Sequence, residues 1–324
     1  MVGLFLLLVV LILTIILLIF SSKIAVINSA ALAAKIGISS LIIGITLVSI
    51  GTDIAEIFNS IISCGLGHGD IDVGDSVGSD LTQLTLIFGL LPILGGNFPV
   101  KKRCFVIIGS CEILSLILIF TVVSKGYFTR FDAFFMMLSL VFYSLITYNL
   151  LEDNINSQIQ FINEKNSEKR PRLKSHFLLF AILGFGGVTL SSYLIIQSII
   201  YLSYISGINE YIISFFMVSI GTSLPELSVD LAAIKQKHYR IAVGDIIGSC
   251  IVDSTLSIGI GQFLFPQSIS AFAAIPTILY TLIASMIVII FVSKREIVDR
   301  KAGILFIVIY ALSFPAIFVI TQFL

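Results

Sequence analysis

Asp53 and Glu56 stand three residues apart in SIGTDIAE (49–56), within a largely apolar run that holds no lysine, arginine or histidine. The pattern returns 170 positions later as SIGTSLPE (219–226), with Glu226 in the place of Glu56. The same offset superposes VGDSVGSDLTQLT (73–85) on VGDIIGSCIVDST (243–255) without a gap. Together the two copies put eight acids, Asp53, Glu56, Asp75, Asp80, Glu226, Asp230, Asp245 and Asp253, in or at the edge of apolar segments. A charged side chain in hydrocarbon costs about 2.5–3.5 kcal/mol on insertion scales. Either several of these groups are protonated, or cations are their partners. Carboxylates, hydroxyls, amides and freed backbone carbonyls are the hard oxygen donors that Ca2+ prefers, and Na+, of similar size, can use the same atoms. The Gly-Thr pair before each acid fits this chemistry, because glycine loosens a helix and threonine offers a hydroxyl. Pro225 removes an amide donor in the second copy, whereas Ala55 in the first predicts a milder break.

Each feature has a plainer reading. GDSVGSD and GDIIGSC could serve only close helix packing. Asp75 and Asp245 fall near the predicted starts of their helices, where a carboxylate can act as an N-terminal cap. Glu112 and Asp132, outside the repeat, read as helix-end or interfacial residues. Cys64, Cys104, Cys111 and Cys250 form no CxxC pair and read as small apolar filler, and three scattered histidines argue against a zinc site.

The elements that carry these residues follow from composition. With 57% hydrophobic and 12% charged residues and a mean hydropathy of +1.10, the chain lies outside the range of soluble globular domains. Apolar runs of about twenty residues match helices crossing a hydrocarbon layer of roughly 30 Å. Ten are predicted: 2–20, 37–63, 73–96, 104–124, 131–151, 175–204, 210–234, 241–264, 271–293 and 303–323. A β-barrel is excluded by LFLLLVVLILTIILLIF, which is apolar on every side rather than on alternate residues. The first segment lacks a preceding basic residue and a small-residue cleavage site, so it reads as a membrane helix, not a removed signal. Of 19 lysines and arginines, 17 fall in loops after odd-numbered helices and only Lys125 and Arg130 in the other set. Basic loops stay cytoplasmic, which predicts both termini outside and the long connector inside.

The expected fold class is an all-α polytopic membrane protein of ten helices in two inverted five-helix repeats. The first repeat covers 1–151 with its motif at 51–83. A charged connector covers 152–174, and the second repeat covers 175–324 with its motif at 221–253. Five helices per half is an odd number, so the second half enters the membrane from the opposite side. Inverted repeats are typical of alternating-access transporters.

GTSLPE followed by AVGDIIGSCIVD resembles the second α-repeat of the sodium/calcium exchanger family, within the cation/calcium antiporter superfamily. GTDIAE with VGDSVGSDLTQ resembles a divergent first α-repeat. The resemblance extends over nearly the whole chain. It implies that Glu56 and Glu226 hold the central ions, that Asp253 is a further carboxylate of the cluster, and that Gln83 stands where the family usually has asparagine. It also implies hydroxyl or backbone ligands at Thr52, Ser79, Thr222, Ser223 and Ser249. The departures are Asp53 at the usual serine, Ala55 at the proline, Asp75 and Asp245 at the asparagine of a Gly-Asn pair, and Asp80 at a neutral position. Asp53 and Asp80 therefore add charge to the ligand set.

The implied function is a secondary antiporter exchanging Ca2+ for Na+ at a midplane carboxylate cluster in the cell membrane, without covalent chemistry. Its implied partners are the transported cations and the lipid bilayer. No cofactor, nucleic acid or obligatory protein partner is implied. An H+-coupled divalent cation antiporter is the main alternative, because the extra carboxylates offer protonation sites. A cation channel and an intramembrane enzyme are weaker ones, since inverted copies do not build a ring about a pore axis and no nucleophile has a partnered base.

Overall fold

The computed structural model describes residues 2–36, 53–150 and 174–323. The first half contains α1 (Val2–Ile36), α2 (Ile54–Gly65), α3 (Gly69–Leu94), α4 (Lys102–Val123) and α5 (Arg130–Leu150). The second contains α6 (Lys174–Ser206), α7 (210–222), α8 (Leu224–Lys235), α9 (Tyr239–Leu264), α10 (Ala271–Arg295) and α11 (Arg300–Phe323). Among the described residues nine helical spans are long and apolar enough to cross a membrane. The short apolar α2 is the described end of the predicted span 37–63, the rest of which, with Gly51 and Thr52, lies outside the described residues. Large apolar side chains such as Leu13, Phe20, Phe142, Leu183 and Ile290 face outward, as lipid contact requires and water would penalise.

The offset of 170 recurs in three dimensions. Gly89 of α3 meets α11 so closely that a Cβ would lie 2.7 Å from the carbonyl oxygen of Gly303. Adding 170 to Gly89 gives Gly259 of α9, and subtracting it from Gly303 gives Ala133 of α5. A Cβ on Gly259 would lie 3.2 Å from the Ala133 carbonyl oxygen. The helix crossings of the two halves are thus copies of one another. The packing reading of GDSVGSD also holds, since Gly74 and Gly78 press on the carbonyls of Tyr211 and Phe215 in α7. The residues that would play this part for the second copy, 41 and 45, lie outside the described residues.

The loops repeat the relation on opposite faces of the bundle. Phe98–Pro99 pairs antiparallel with Ile297–Val298, and the Val100 N–H donates to the Glu296 carbonyl at 2.9 Å. On the other face Phe128 N–H donates to Gln267 (2.9 Å) and Ile269 N–H to Gly126 (3.0 Å). The first pairing brings the basic loop 101–103 beside the basic stretch 294–301. There Arg295 donates to Asp299 through both terminal nitrogens (3.0 and 2.8 Å), which holds that carboxyl below the usual carboxylate range. On the opposite face His68 meets Glu210 at 2.7 Å.

Helix irregularities cluster at the repeated motifs. The chain breaks between α7 and α8 at Ser223, with φ −83° and ψ 4°. Its counterpart Asp53, preceding α2, has nearly the same backbone, φ −79° and ψ 8°. The break therefore falls one residue after the Gly-Thr pair. Pro225 lies in the first turn of α8, where an amide has no acceptor within that helix. The segment before Asp53, on which the expected milder break in the first copy depends, lies outside the described residues. Segments of π-helix occupy Thr82–Ile87 in α3 and Asp253–Ser257 in α9, and a third occupies Ser214–Val218 in α7. In both motif helices a threonine hydroxyl, Thr85 or Thr255, folds back onto the carbonyl four residues earlier. Such π turns widen the helix and often mark functional positions.

Candidate cation-binding site

A residue can touch its own repeat counterpart only beside the axis that relates the two halves. Gln83 and Asp253 do so: Gln83 Nε2 donates to Asp253 Oδ2 at 3.1 Å across a separation of 170 residues. Cys250 and Asp80, a second such pair, meet through a 3.8 Å contact from the thiol to the Asp80 carbonyl, and the same thiol reaches Gln83 Oε1 at 3.3 Å. Each member of these pairs lies on α3 or α9, at or just before the π segment.

Around this axis the breaks bring in α2 and α8. Glu56 and Glu226 lie in the first turns of those helices, and both are buried. Asp253 lies within electrostatic reach of Asp53, Glu56, Asp80 and Glu226. Glu226 in turn lies within reach of Glu56 and Asp53. Ser79 and Thr222 approach with their hydroxyls 3.3 Å apart, and Thr82 meets Ser219 at 3.5 Å. Ser223 and Ser249 are fully buried with hydroxyls that take part in no hydrogen bond. Neither oxygen of Glu56, Asp80 or Glu226 accepts a hydrogen bond within normal distance. The Thr222 hydroxyl lies beside Glu56 but donates to Asp75 at 3.1 Å. Thr52 lies outside the described residues.

Ten carboxylates are buried among the described residues, and no lysine, arginine or histidine is. These acids share a region without forming a shell of their own: among the described residues no three His, Cys, Asp or Glu side chains are gathered closely enough to hold a metal ion. A cation here would have to draw on hydroxyls, the Gln83 amide oxygen and carbonyls at the breaks as well as carboxylates, a mixture suited to Na+ and Ca2+.

The family model for sodium/calcium exchanger protein matches residues 6–149 and 175–319. The chain belongs to the sodium/calcium exchanger protein family. Among relatives of this exchanger family, the sodium/calcium exchanger MaX1 of Methanosarcina acetivorans is 26% identical, with 90% of this chain and 93% of that protein aligned. An uncharacterized membrane protein of Methanocaldococcus jannaschii is 27% identical over 98% of this chain and 97% of its own length. A solved structure of the sodium-calcium exchanger NCX_Mj, soaked with 2.5 mM Na+ and 0.1 mM Ca2+, covers 96% of this chain and 98% of its own with a TM-score of 0.58 at 23% identity, a likeness of fold.

Several polar residues of this exchanger-family chain escape the sequence reading. Glu112 is not at a helix end: it lies at the centre of α4, is fully buried, accepts from Ser285 at 2.8 Å and lies within electrostatic reach of Asp80. Its position midway through an apolar run was the available signal. Asp132, by contrast, does sit at a helix start, held by Lys125 (2.6 Å) and Thr129. Asp72 is buried because α3 begins at Gly69, four residues earlier than predicted, and it accepts from Gln262 (2.8 Å) and Cys64 (3.2 Å). The same early start places Asp75 well inside α3, where Asn59 donates to it at 2.9 Å. Asp245 lies equally deep in α9, so the capping reading fails for both. Cys64 and Cys250 are more than filler, since their thiols make polar contacts.

Proposed function

We propose that the protein is a secondary antiporter that exchanges Ca2+ for Na+ by alternating access at the axis between its two repeats. Glu56, Glu226 and Asp253 would supply the central carboxylates. Gln83, Thr52, Ser79, Thr222, Ser223 and Ser249 would supply neutral oxygens, and Asp53 and Asp80 additional charge. The observation that carries this reading is the Gln83–Asp253 contact at the axis, ringed by buried acids with no buried base among the described residues. Divalent and monovalent cations could neutralise such a region in turn, and inverted repeats offer two equivalent conformations about it. The names of MaX1 and NCX_Mj support the choice of ions. We assign 1–151 and 175–324 as the two repeats and 152–174 as the connector. Transport of this kind involves no covalent step, so we assign no enzymatic role, resident cofactor or obligatory protein partner.

The decisive measurement is Ca2+ uptake into sealed proteoliposomes. A Na+ gradient directed outward is expected to drive uptake, and collapse of that gradient to stop it. Uptake without any counter-ion would indicate a channel and overturn the proposal. Uptake driven by a pH gradient alone would favour the H+-coupled alternative, which the excess of buried carboxylates supports.

For orientation we propose the cell membrane, with both termini outside and the connector in the cytoplasm. Support comes from the loop charge asymmetry and from the pairing of two basic loops on one face. Single cysteines at 68 and 268, in a cysteine-free background, are expected to react with an impermeant thiol reagent from outside, and one at 165 only after permeabilisation. Labelling of 165 in intact cells would reverse the orientation.

A further inference from the structure

Asp230 of α8 and Asp245 of α9 are buried to 0% and 1% exposure, with their carboxyl groups within hydrogen-bonding reach of each other. None of their four oxygens accepts a hydrogen bond from a protein donor. The repeat counterparts solve the same problem differently. Asp75, the counterpart of Asp245, is satisfied by Asn59 (2.9 Å) and Thr222 (3.1 Å), and the counterpart of Asp230 is Ser60, not an acid. An acid pair thus exists in one half only.

We propose that Asp230 and Asp245 form a dyad that binds one proton between them, a site distinct from the central cluster. Two carboxylates in contact and shielded from water cannot both stay ionised, and one proton turns two facing acceptors into a donor and an acceptor. A divalent ion is a poorer occupant. It wants six to eight oxygens, and among the described residues no third acidic, histidine or cysteine side chain completes a metal site here.

The charged surroundings leave the proton as the local solution. Glu226, on α8 itself, lies within electrostatic reach of Asp245 and adds negative charge. Asp75 and Asp80 of α3 and Glu112 of α4 bear on Glu56, Asp253 and one another. The α8–α9 turn and the helix ends beside it carry Lys235, Lys237, His238 and Arg240, but no hydrogen bond joins any of them to either aspartate. Asp230 lies five positions before the last residue of α8 and Asp245 six after the first of α9. That is about 8–9 Å of helix rise, so the dyad lies between the turn and the central cluster.

Infrared spectroscopy of the purified protein at pH 7 tests this through the carbonyl stretch of protonated carboxylic acids. Asp230→Asn and Asp245→Asn are each expected to remove the same one-carboxyl contribution, because an asparagine amide can donate to the remaining carboxylate and the proton is no longer needed. The double variant is expected to remove no more than either single one. Asp230→Ser, which installs the residue of the other half, serves if an asparagine variant does not fold. An unchanged band in the single variants, or a twofold loss in the double variant, would overturn the dyad. The measurement needs no transport, so it stands apart from the outcome of the exchange assay.

Discussion

Glu226→Gln is expected to lower Ca2+ exchange at least about 100-fold while leaving the protein inserted and as heat-stable as the wild type or more so. The two effects have opposite signs for one reason. The Glu226 carboxylate is buried, accepts no hydrogen bond within normal distance, and has like-charged neighbours in Glu56 and Asp53. In the cation-free protein it is a cost to the fold, and a neutral amide of the same shape relieves it. A bound cation reverses the balance. Breaking a buried charge pair costs roughly 3–5 kcal/mol, and about 2.7 kcal/mol is already a factor of 100. Glu56→Gln is expected to behave alike, from the equivalent turn of α2. Uptake assays beside thermal melts in detergent decide the matter. Wild-type transport in either variant would remove these glutamates from the ion path, and a large fall in melting temperature would mean that they serve the fold instead.

Exchanging the partners of the axis pair should rescue what a single change destroys. Asp253→Gln leaves two amides facing each other and removes a charge, so transport should fall by at least a factor of ten. Gln83→Asp alone sets two carboxylates in contact and should also be impaired. The double variant restores one carboxylate and one amide with the halves reversed, and should recover transport at least tenfold over Asp253→Gln. Such coupling lies within the 0.5–3 kcal/mol seen for residues in contact. Recovery should be incomplete. Ser257 donates to Asp253 at 3.4 Å, whereas the counterpart of Ser257 is Ile87, which has no hydroxyl to offer. A double variant no better than the worse single one would show that the two positions are not interchangeable across the axis.

The sequence makes the bundle and the acid-bearing motifs legible for a simple reason: long apolar runs and a constant offset survive without knowledge of contacts. The constant offset makes Gln83 and Asp253 counterparts, but their contact depends on where the axis between the halves falls. What escapes the sequence is local register. A π segment is a change from i+4 to i+5 bonding that composition does not encode, and Thr82–Ile87 reads as ordinary helix. HGDID reads as a loop because it is polar, yet Gly69 begins α3 and carries Asp72 into the interior. Asp230 was legible as a buried acid but not as a partner of Asp245, because that contact depends on how α8 and α9 turn toward each other.

The axis contact also limits how such a molecule could have been assembled. In an antiparallel homodimer of one five-helix half, position 83 would face its own copy. Two aspartates there would repel, and two glutamines would leave the axis uncharged. A hydrogen-bonded Gln83–Asp253 pair at 3.1 Å is open only to unlike halves, and a single chain fixes which half supplies the acid. Joining two copies into one polypeptide thus does more than hold them together: at a position where symmetry would force identical residues to meet, it lets an acid face an amide.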